Sequence, residues 1–314
     1  MIKSGKNIDY AAKVLNDDGI VVIPTETVYG LAGNALKKNS VNKIYSIKKR
    51  PKNDPLICHA DSLDKIKKYV NDIPEEAYAL ADKFWPGPMT IIFEKKNIIP
   101  DLTTSNLNTV AFRIPDKTIT LKLLENLNYP LAAPSANIFG YISPTKTEHI
   151  HKNFNKGIDY LLEGGNCKLG LESTIIGFKD DKIIVYRLGS LVLNELKKIG
   201  RVKVLYNNYN YPGSFKNHYS PRKKLYLGNI KNLCKIHKDK KIGILCYDKK
   251  YEEVKYENQI ILSDKSSLEE ASKNLYSALY KLDNMKNIDI IISSLLPNNL
   301  IGRTINDRLT KSAE

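Results

Sequence analysis

The feature that most constrains this chain is a four-residue apolar run that stops at a proline. Ile20-Val-Val-Ile23 is followed by Pro24, by the polar Thr25, Glu26 and Thr27, and by Tyr29-Gly30. A short β-branched run of this kind reads as a strand buried on both faces of a sheet. Pro24 ends it, because proline cannot donate to the sheet ladder. Polar, turn-forming residues just past a buried strand are where open α/β sheets place their ligands. Three cations follow at Lys48, Lys49 and Arg50, with Pro51 directly after them.

The rest of the chain repeats this alternation. Asn7 is placed to cap a helix carrying Ile8, Ala11, Ala12 and Leu15 on one face. Ser40 is placed to cap a second, with Val41, Ile44 and Tyr45 at helical spacing, and Arg50-Pro51 closes it. Lys48 and Arg50 are therefore expected at a helix end leading into a loop. Pro55–Cys58 reads as a strand ending at His59. Asp61 opens a helix, and another runs from about Pro74 to Phe84 before Trp85-Pro-Gly-Pro88 breaks it. Further strands are expected at Met89–Phe93, Val110–Ile114, Leu131–Ala133, Ile158–Glu163, Ser173–Phe178 and Ile183–Tyr186. Between them lie a polar loop from Thr103 to Asn108 and a helix over Thr118–Asn126. A helix over Leu191–Ile199 closes this part.

Residues 203–222 change character. Asn207-Asn-Tyr-Asn-Tyr-Pro-Gly213 is polar and turn-rich and reads as a linker. Strands at Lys224–Leu227, Ile242–Cys246 and Ile288–Ser293 follow, with a long helix from about Ser267 to Met285. This order suggests a small Rossmann-like layer. It carries no G-x-G-x-x-G, so no nucleotide site is assigned to it. The domain reading is 1–202, a linker at 203–222, and 223–314.

Composition bounds the function classes. No apolar run approaches the ~20 residues of a membrane span, and Met-Ile-Lys-Ser-Gly-Lys at the start has no apolar core of a secretory signal. Cys58, Cys167, Cys234 and Cys246 form no C-x-x-C pair, so neither a zinc site nor a disulfide framework is suggested. Reduced thiols in the cytoplasm are the simple expectation, without membrane contact. The net charge of +15 invites a nucleic-acid reading. Lysine is spread along the whole chain, however, and the aromatic-and-basic patterns of RNA-binding modules are not evident.

No Walker-type loop, kinase set or H-E-x-x-H helix is present, so phosphates would have to be held by scattered cations and hydroxyls. Lys48 and Arg50 suit that task, one as a mobile point charge and the other as a planar fork; a solvated helix end is the alternative. Arg113, inside an apolar run, is costly to bury unpaired and reads as a ligand for an anion or as half of a structural ion pair. Ser135 and Asn137 lie in a small-residue loop where donors can approach phosphate, or serve plain turn chemistry. His59 follows an apolar run and reads equally as a satisfied core histidine.

Several of these segments together resemble one family. Pro24-Thr-Glu-Thr-Val-Tyr-Gly-Leu31, Lys48-x-Arg50-Pro51, Pro55-Leu-Ile-x-His59, Pro134-Ser-Ala-Asn137, Ser143-Pro-Thr145 and Glu172-Ser-Thr174 resemble the signature of the YrdC-type threonylcarbamoyl-AMP synthases. The long form of that family has a C-terminal tail, and Gly302-Arg-Thr-Ile-Asn306-Asp-Arg308-Leu is similar to its last segment. The resemblance implies an α/β fold, a twisted mixed open sheet with helices, plus the small Rossmann-like domain. It implies synthesis of threonylcarbamoyl-AMP and pyrophosphate from L-threonine, bicarbonate and ATP. Magnesium is implied with ATP, with no protein ligand set assigned. The product would pass to a partner enzyme that modifies adenosine beside the tRNA anticodon, with at most weak tRNA contact here. Lys48, Arg50, Ser135 and Asn137 are implied as catalytic. Thr27, His59, Arg113, Ala133 and Ser173 would surround L-threonine. Arg50, Asp54, Thr109, Ser135, Ser143, Arg187 and Tyr219 would surround ATP. Asp54 departs from the family's amide, and a carboxylate there suits phosphates only through magnesium. His218-Tyr219 resembles the end of a linker that folds over the pocket.

Two rival readings stay in view. One is a non-catalytic module binding tRNA or double-stranded RNA through phosphate contacts. The other is a carbamoyl-transferring enzyme of hydrogenase maturation, for whose extra zinc-finger segments this chain has no cysteine pattern.

Overall fold

A computed structural model describes residues 2–205 and 219–313. Most of the linker expected at 203–222, including His218, lies outside the described residues. Eleven of the described strands form one sheet. Its order is Ser4–Gly5, Tyr160–Leu162, Val21–Ile23, Gly30–Asn34, Leu131–Ala132, Ile57–His59, Thr109–Arg113, Met89–Glu94, Thr174–Lys179, Lys182–Arg187 and Val202–Val204. Parallel and antiparallel pairings occur along it, so the sheet is mixed, as expected. Val21, Val22 and Ile23 are fully buried, which is what a β-branched run flanked by layers on both faces requires. One apolar core, with Ile20, Leu31, Ile44, Cys58 and Phe112, packs the sheet to one set of helices. A second, with Ala11, Leu15, Val21, Leu123 and Leu127, packs it to the helices Ile8–Asn16 and Thr118–Glu125.

Asn7 caps its helix as expected, its side chain accepting from the Tyr10 amide. Ser40 does not cap the second helix. That helix runs Lys38–Lys48 from an N-cap at Lys37, and Ser40 is buried inside it with its hydroxyl towards Asp18. The third helix starts one residue later than read, capped by Ser62. Part of the expected Thr103–Asn108 loop is a helical turn, Asp101–Thr104, whose Thr103 hydroxyl donates to the Ala35 carbonyl. The strand Gly30–Asn34 and the helix Thr147–Asn153 were not expected: the first is glycine-rich, the second short and polar, and neither shows a hydrophobic period.

A second sheet is all parallel, in the order Leu225–Leu227, Ile290–Ser293, Ile242–Cys246 and Gln259–Ile261. The helix Leu268–Asn284, capped by Ser267, and the final helix Gly302–Ser312 do not serve this sheet alone. Val28, Ile142 and Leu171 of the first unit share one apolar core with Leu275, Tyr276, Leu279, Ile305 and Leu309. No described helix is long and apolar enough to cross a membrane.

The two units approach closely at Gly170. Its φ is +83°, and an added Cβ would stand 2.6 Å from the Lys273 Cα. Neither the left-handed backbone nor the space suits a side chain. Gly170→Ala is expected to destabilise the chain by roughly 1–3 kcal/mol, read as a shift in the urea midpoint. An unchanged midpoint would mean that helix and loop do not meet this closely.

Candidate active site

The ends of several strands converge on one cleft. The register pairs His59 with Arg113 on parallel neighbours. The antiparallel strand Leu131–Ala132 runs beside Ile57–His59 and delivers Ala133, whose amide donates to the Ile57 carbonyl. Gly30 forms a bridge with Ser135. From the other side come Ser173, just before Thr174–Lys179, and Arg187, at the end of Lys182–Arg187. The cleft has about 540 Å³ of empty space, solvent at its mouth included, and its lining includes Arg50, His59, Arg113, Ala133, Ser135, Glu172, Ser173, Arg187 and Tyr219. The sequence reading therefore scattered these residues over 170 positions, and the sheet brings eight of the expected set to one wall or another.

Arg113 is held on every nitrogen. Nε donates to the Gly87 carbonyl at 3.2 Å, Nη1 donates to Thr27 Oγ1 at 2.8 Å, and Nη2 stands 2.6 Å from Glu26 Oε1. Arg113 is half of a buried ion pair, one of the two alternatives raised for it, and it also lines the cleft. Thr27 lies behind it, fully buried, sharing a hydrogen bond with Thr25. Glu26 accepts from the Asp116 amide through Oε2. Three fixed contacts orient the guanidinium fork before any ligand arrives.

Arg50 is oriented similarly. Its Nη2 stands 2.8 Å from Asp54 Oδ1, and it donates to the carbonyls of Asp54 and Pro55. Burial raises the Asp54 pKa to about 6 against the opposing pull of Arg50 and Lys48. Lys48 does not line the cleft. It is 1% exposed, so the solvated helix end is excluded. Its Nζ donates to the carbonyls of Ser135 at 2.5 Å and Asn137 at 2.7 Å, which clamps the Pro134–Asn137 loop. Burial, with Arg50 next to it, holds the Lys48 pKa well below the ordinary lysine value. The Asn137 amide donates to the Ile138 and Tyr141 carbonyls and closes the same loop.

Arg187 donates through Nε and Nη2 to the Ser173 carbonyl and through Nη2 to the Ser173 hydroxyl, which also bonds Thr90. Ser143 is buried and donates to Glu172 at 2.7 Å. Thr109 stands apart: it opens the strand that ends at Arg113, roughly 13 Å away at strand rise. Two residues with a clear place in the site had no role assigned from the sequence, Glu26 and Glu172. Both sat inside quoted motifs, and a carboxylate between apolar and hydroxyl residues was the available signal. Among the described residues, no group of three His, Cys, Asp or Glu is placed to hold a metal ion.

His59 is buried beside Arg113, and burial, then the Arg113 charge, lowers its pKa to about 3. His149, buried and stacked on Tyr280 at 3.9 Å, is lowered to about 3 chiefly by burial. Below the ordinary value of 6.5 the unfolded chain takes up protons that the folded chain refuses, so stability falls with pH. Asp54 acts in the opposite sense between about 4 and 6, since the folded chain keeps its proton longer. Two histidines against one carboxyl leave a net loss of about 1.4 kcal/mol per pH unit as pH drops from 6 to about 4. Urea midpoints at several pH values read this directly; a flat profile would contradict neutral, buried histidines. Glu26→Ala leaves the Arg113 charge buried without its partner and is expected to cost about 3–5 kcal/mol in the same measurement, with Glu26→Gln less damaging because it keeps an acceptor.

Comparison with known proteins accounts for both units. The family model Sua5_yciO_yrdC, described as "Telomere recombination", matches residues 13–189, and the model "Threonylcarbamoyl-AMP synthase, C-terminal domain" matches residues 191–314. Threonylcarbamoyl-AMP synthase of Pyrococcus abyssi is 35% identical over 98% of this chain and 94% of its own, and that of Bacillus subtilis 33% identical over 98% and 92%. The crystal structure of P. abyssi Sua5 complexed with L-threonine superposes with a TM-score of 0.88 at 32% identity, covering 100% of this chain and 97% of the other. With both units matched along nearly their whole length, the mixed sheet and its cleft are those of a shared fold, and this chain belongs to the threonylcarbamoyl-AMP synthase family.

Proposed function

We propose that this chain is an L-threonylcarbamoyladenylate synthase whose cleft joins L-threonine, bicarbonate and ATP. The observation that carries it is the gathering of Arg113 with His59, and of Arg50 with Ser135 and Arg187, around one cleft. At one wall, Arg113, fixed by Glu26 and Thr27, offers its remaining N–H groups to the threonine carboxylate. His59 beside it stays neutral at physiological pH, so it binds the substrate's hydroxyl or amine without adding charge. Ala133 and Ser173 complete that wall. At the other wall, Arg50, Ser135, Arg187 and Tyr219 meet the nucleotide, with Ser143 behind them. Asp54, buried behind Arg50, and Thr109, at the far end of the Arg113 strand, do not line this cleft; Asp54 acts through Arg50.

The chemistry asks little of any one residue. The threonine amine and bicarbonate give a carbamate and water. A carbamate oxygen attacks the α-phosphorus, the bond to the β-phosphate oxygen breaks, and pyrophosphate leaves. No covalent enzyme intermediate is needed, and the protein contributes positioning and charge stabilisation. Lys48 and Asn137 act by holding the Ser135 loop rigid. Magnesium would enter on the ATP phosphates, the usual arrangement for an ion that keeps most of its waters, with no protein ligand set assigned to it. We assign catalysis to residues 1–202, a linker to 203–222 and a small Rossmann-like domain to 223–314. The adenylate is consumed by a separate enzyme transferring the threonylcarbamoyl group to tRNA, and the reaction runs in the cytoplasm. Surface lysine accounts for a weak tRNA contact at most, because Lys48, Arg50, Arg113, Arg187 and Arg308 are buried.

Pyrophosphate release by the purified full chain tests the proposal. Release is expected only when ATP, L-threonine and bicarbonate are all present, with threonylcarbamoyl-adenylate found by mass. Release without threonine, or none with all three, would contradict it. Arg50→Ala is expected to slow turnover roughly 10²–10³-fold, the scale of one preorganised donor, and Lys48→Ala, which frees the Ser135 loop, roughly 10²-fold, the scale of a misplaced group.

A further inference from the structure

One wall of the cleft is held from behind by the far end of the chain. Glu172 lies in the loop before Thr174–Lys179 and is 5% exposed. It accepts from Ser143 Oγ at 2.7 Å, from the Tyr276 hydroxyl at 3.0 and 2.9 Å, and from Arg308 Nε at 2.9 Å. Tyr276 belongs to the long helix of the second unit and Arg308, fully buried, to the final helix. Arg308 also donates to the Leu188 carbonyl at 2.8 Å, one residue from Arg187, and its guanidinium stands 4.7 Å from the ring centre of Tyr219. The Tyr219 ring stacks on Tyr276, and its carbonyl accepts from Ser312. The contacts of Arg113, by contrast, all go to residues of the first unit.

We propose that Arg308 and Tyr276 are positioning residues for the nucleotide side of the cleft, acting through Glu172 on Ser143, Tyr219 and Arg187. A buried carboxylate keeps its place only while enough donors and charge hold it. Burial alone pushes Glu172 towards its neutral form; Arg308 first, and Arg187 after it, overcome this and keep its pKa below the ordinary value. When Arg308 is removed, the carboxylate leans on its remaining cation, Arg187, and subtracts positive potential from the wall that meets the phosphates; when Tyr276 is removed, the carboxylate loses a hydroxyl donor shared by both its oxygens. Ser143 and the Tyr219 ring lose their anchor at the same time. The second unit is thereby part of the ATP site without contributing a side chain to the reacting atoms, and the threonine wall is untouched.

This inference rests on the function proposed above, so the test separates the two. ATP and L-threonine are each titrated calorimetrically into the full chain, and pyrophosphate release gives KM and kcat, for wild type, Tyr276→Phe, Arg308→Met and Arg308→Lys. Tyr276→Phe and Arg308→Met are expected to weaken ATP affinity about tenfold and to leave threonine affinity within about twofold, with Arg308→Lys in between. Tyr276→Phe removes a single oxygen and carries the test if Arg308→Met does not fold. Unchanged ATP affinity in the variants overturns the inference alone, as does a parallel loss of ATP and threonine binding with a lowered thermal midpoint, the mark of general loosening. A wild-type chain that binds neither substrate overturns the function itself, and the inference with it.

Discussion

Three arginines buried against three carboxylates decide what this cleft can do. Arg113 meets Glu26 at 2.6 Å, Arg50 meets Asp54 at 2.8 Å, and Arg308 meets Glu172 at 2.9 Å. Burying such a pair costs several kcal/mol in lost hydration, and the attraction within the pair roughly offsets it. Their contribution is therefore geometric. Each carboxylate fixes a guanidinium fork that no apolar packing could aim, and each arginine retains N–H directions for something else. A site that must gather a carboxylate and a polyphosphate side by side needs its cations oriented before binding, since reorganisation during the reaction would add to the barrier.

The three pairs are also what ties the sheet ends together. Glu26 belongs to the loop that Pro24 forces after the first buried strand, and its partner ends a strand four places along the sheet. Glu172 joins Ser143 to two helices of the second unit. Lys48 does the equivalent with backbone: one ammonium against two carbonyls sets the curvature of the Ser135 loop. The apolar core shared by Val28, Ile142 and Leu171 with Leu275 and Ile305 supplies the burial that makes the Glu172 cluster dry and therefore strong.

Much of this was legible beforehand. The run Ile20–Ile23 with its proline stop reads as a buried strand because it is short and β-branched, and the Asn7 cap is a local hydrogen bond that the residue type announces. Ser40 misled for the same reason: a cap-forming residue before an apolar stripe is a sound local signal, but its burial against Asp18 is decided by a partner 22 positions away. Glycine-rich Gly30–Asn34 is a strand only because Val21–Ile23 and Leu131–Ala132 flank it. The site residues were found through the resemblance of their motifs, whereas the pairing of Glu26 with Arg113 and the return of Arg308 from 136 positions away are tertiary facts that no period or spacing encodes.

A structure of the full chain bound to L-threonine and a non-hydrolysable ATP analogue tests the central claim most directly. The account predicts the threonine carboxylate on the outward N–H groups of Arg113, with the Glu26 contact intact, and the phosphates between Arg50, Ser135 and Arg187. Phosphates lying on Arg113, or threonine bound only after Glu26 has swung away, would contradict a cleft whose two walls are set in advance.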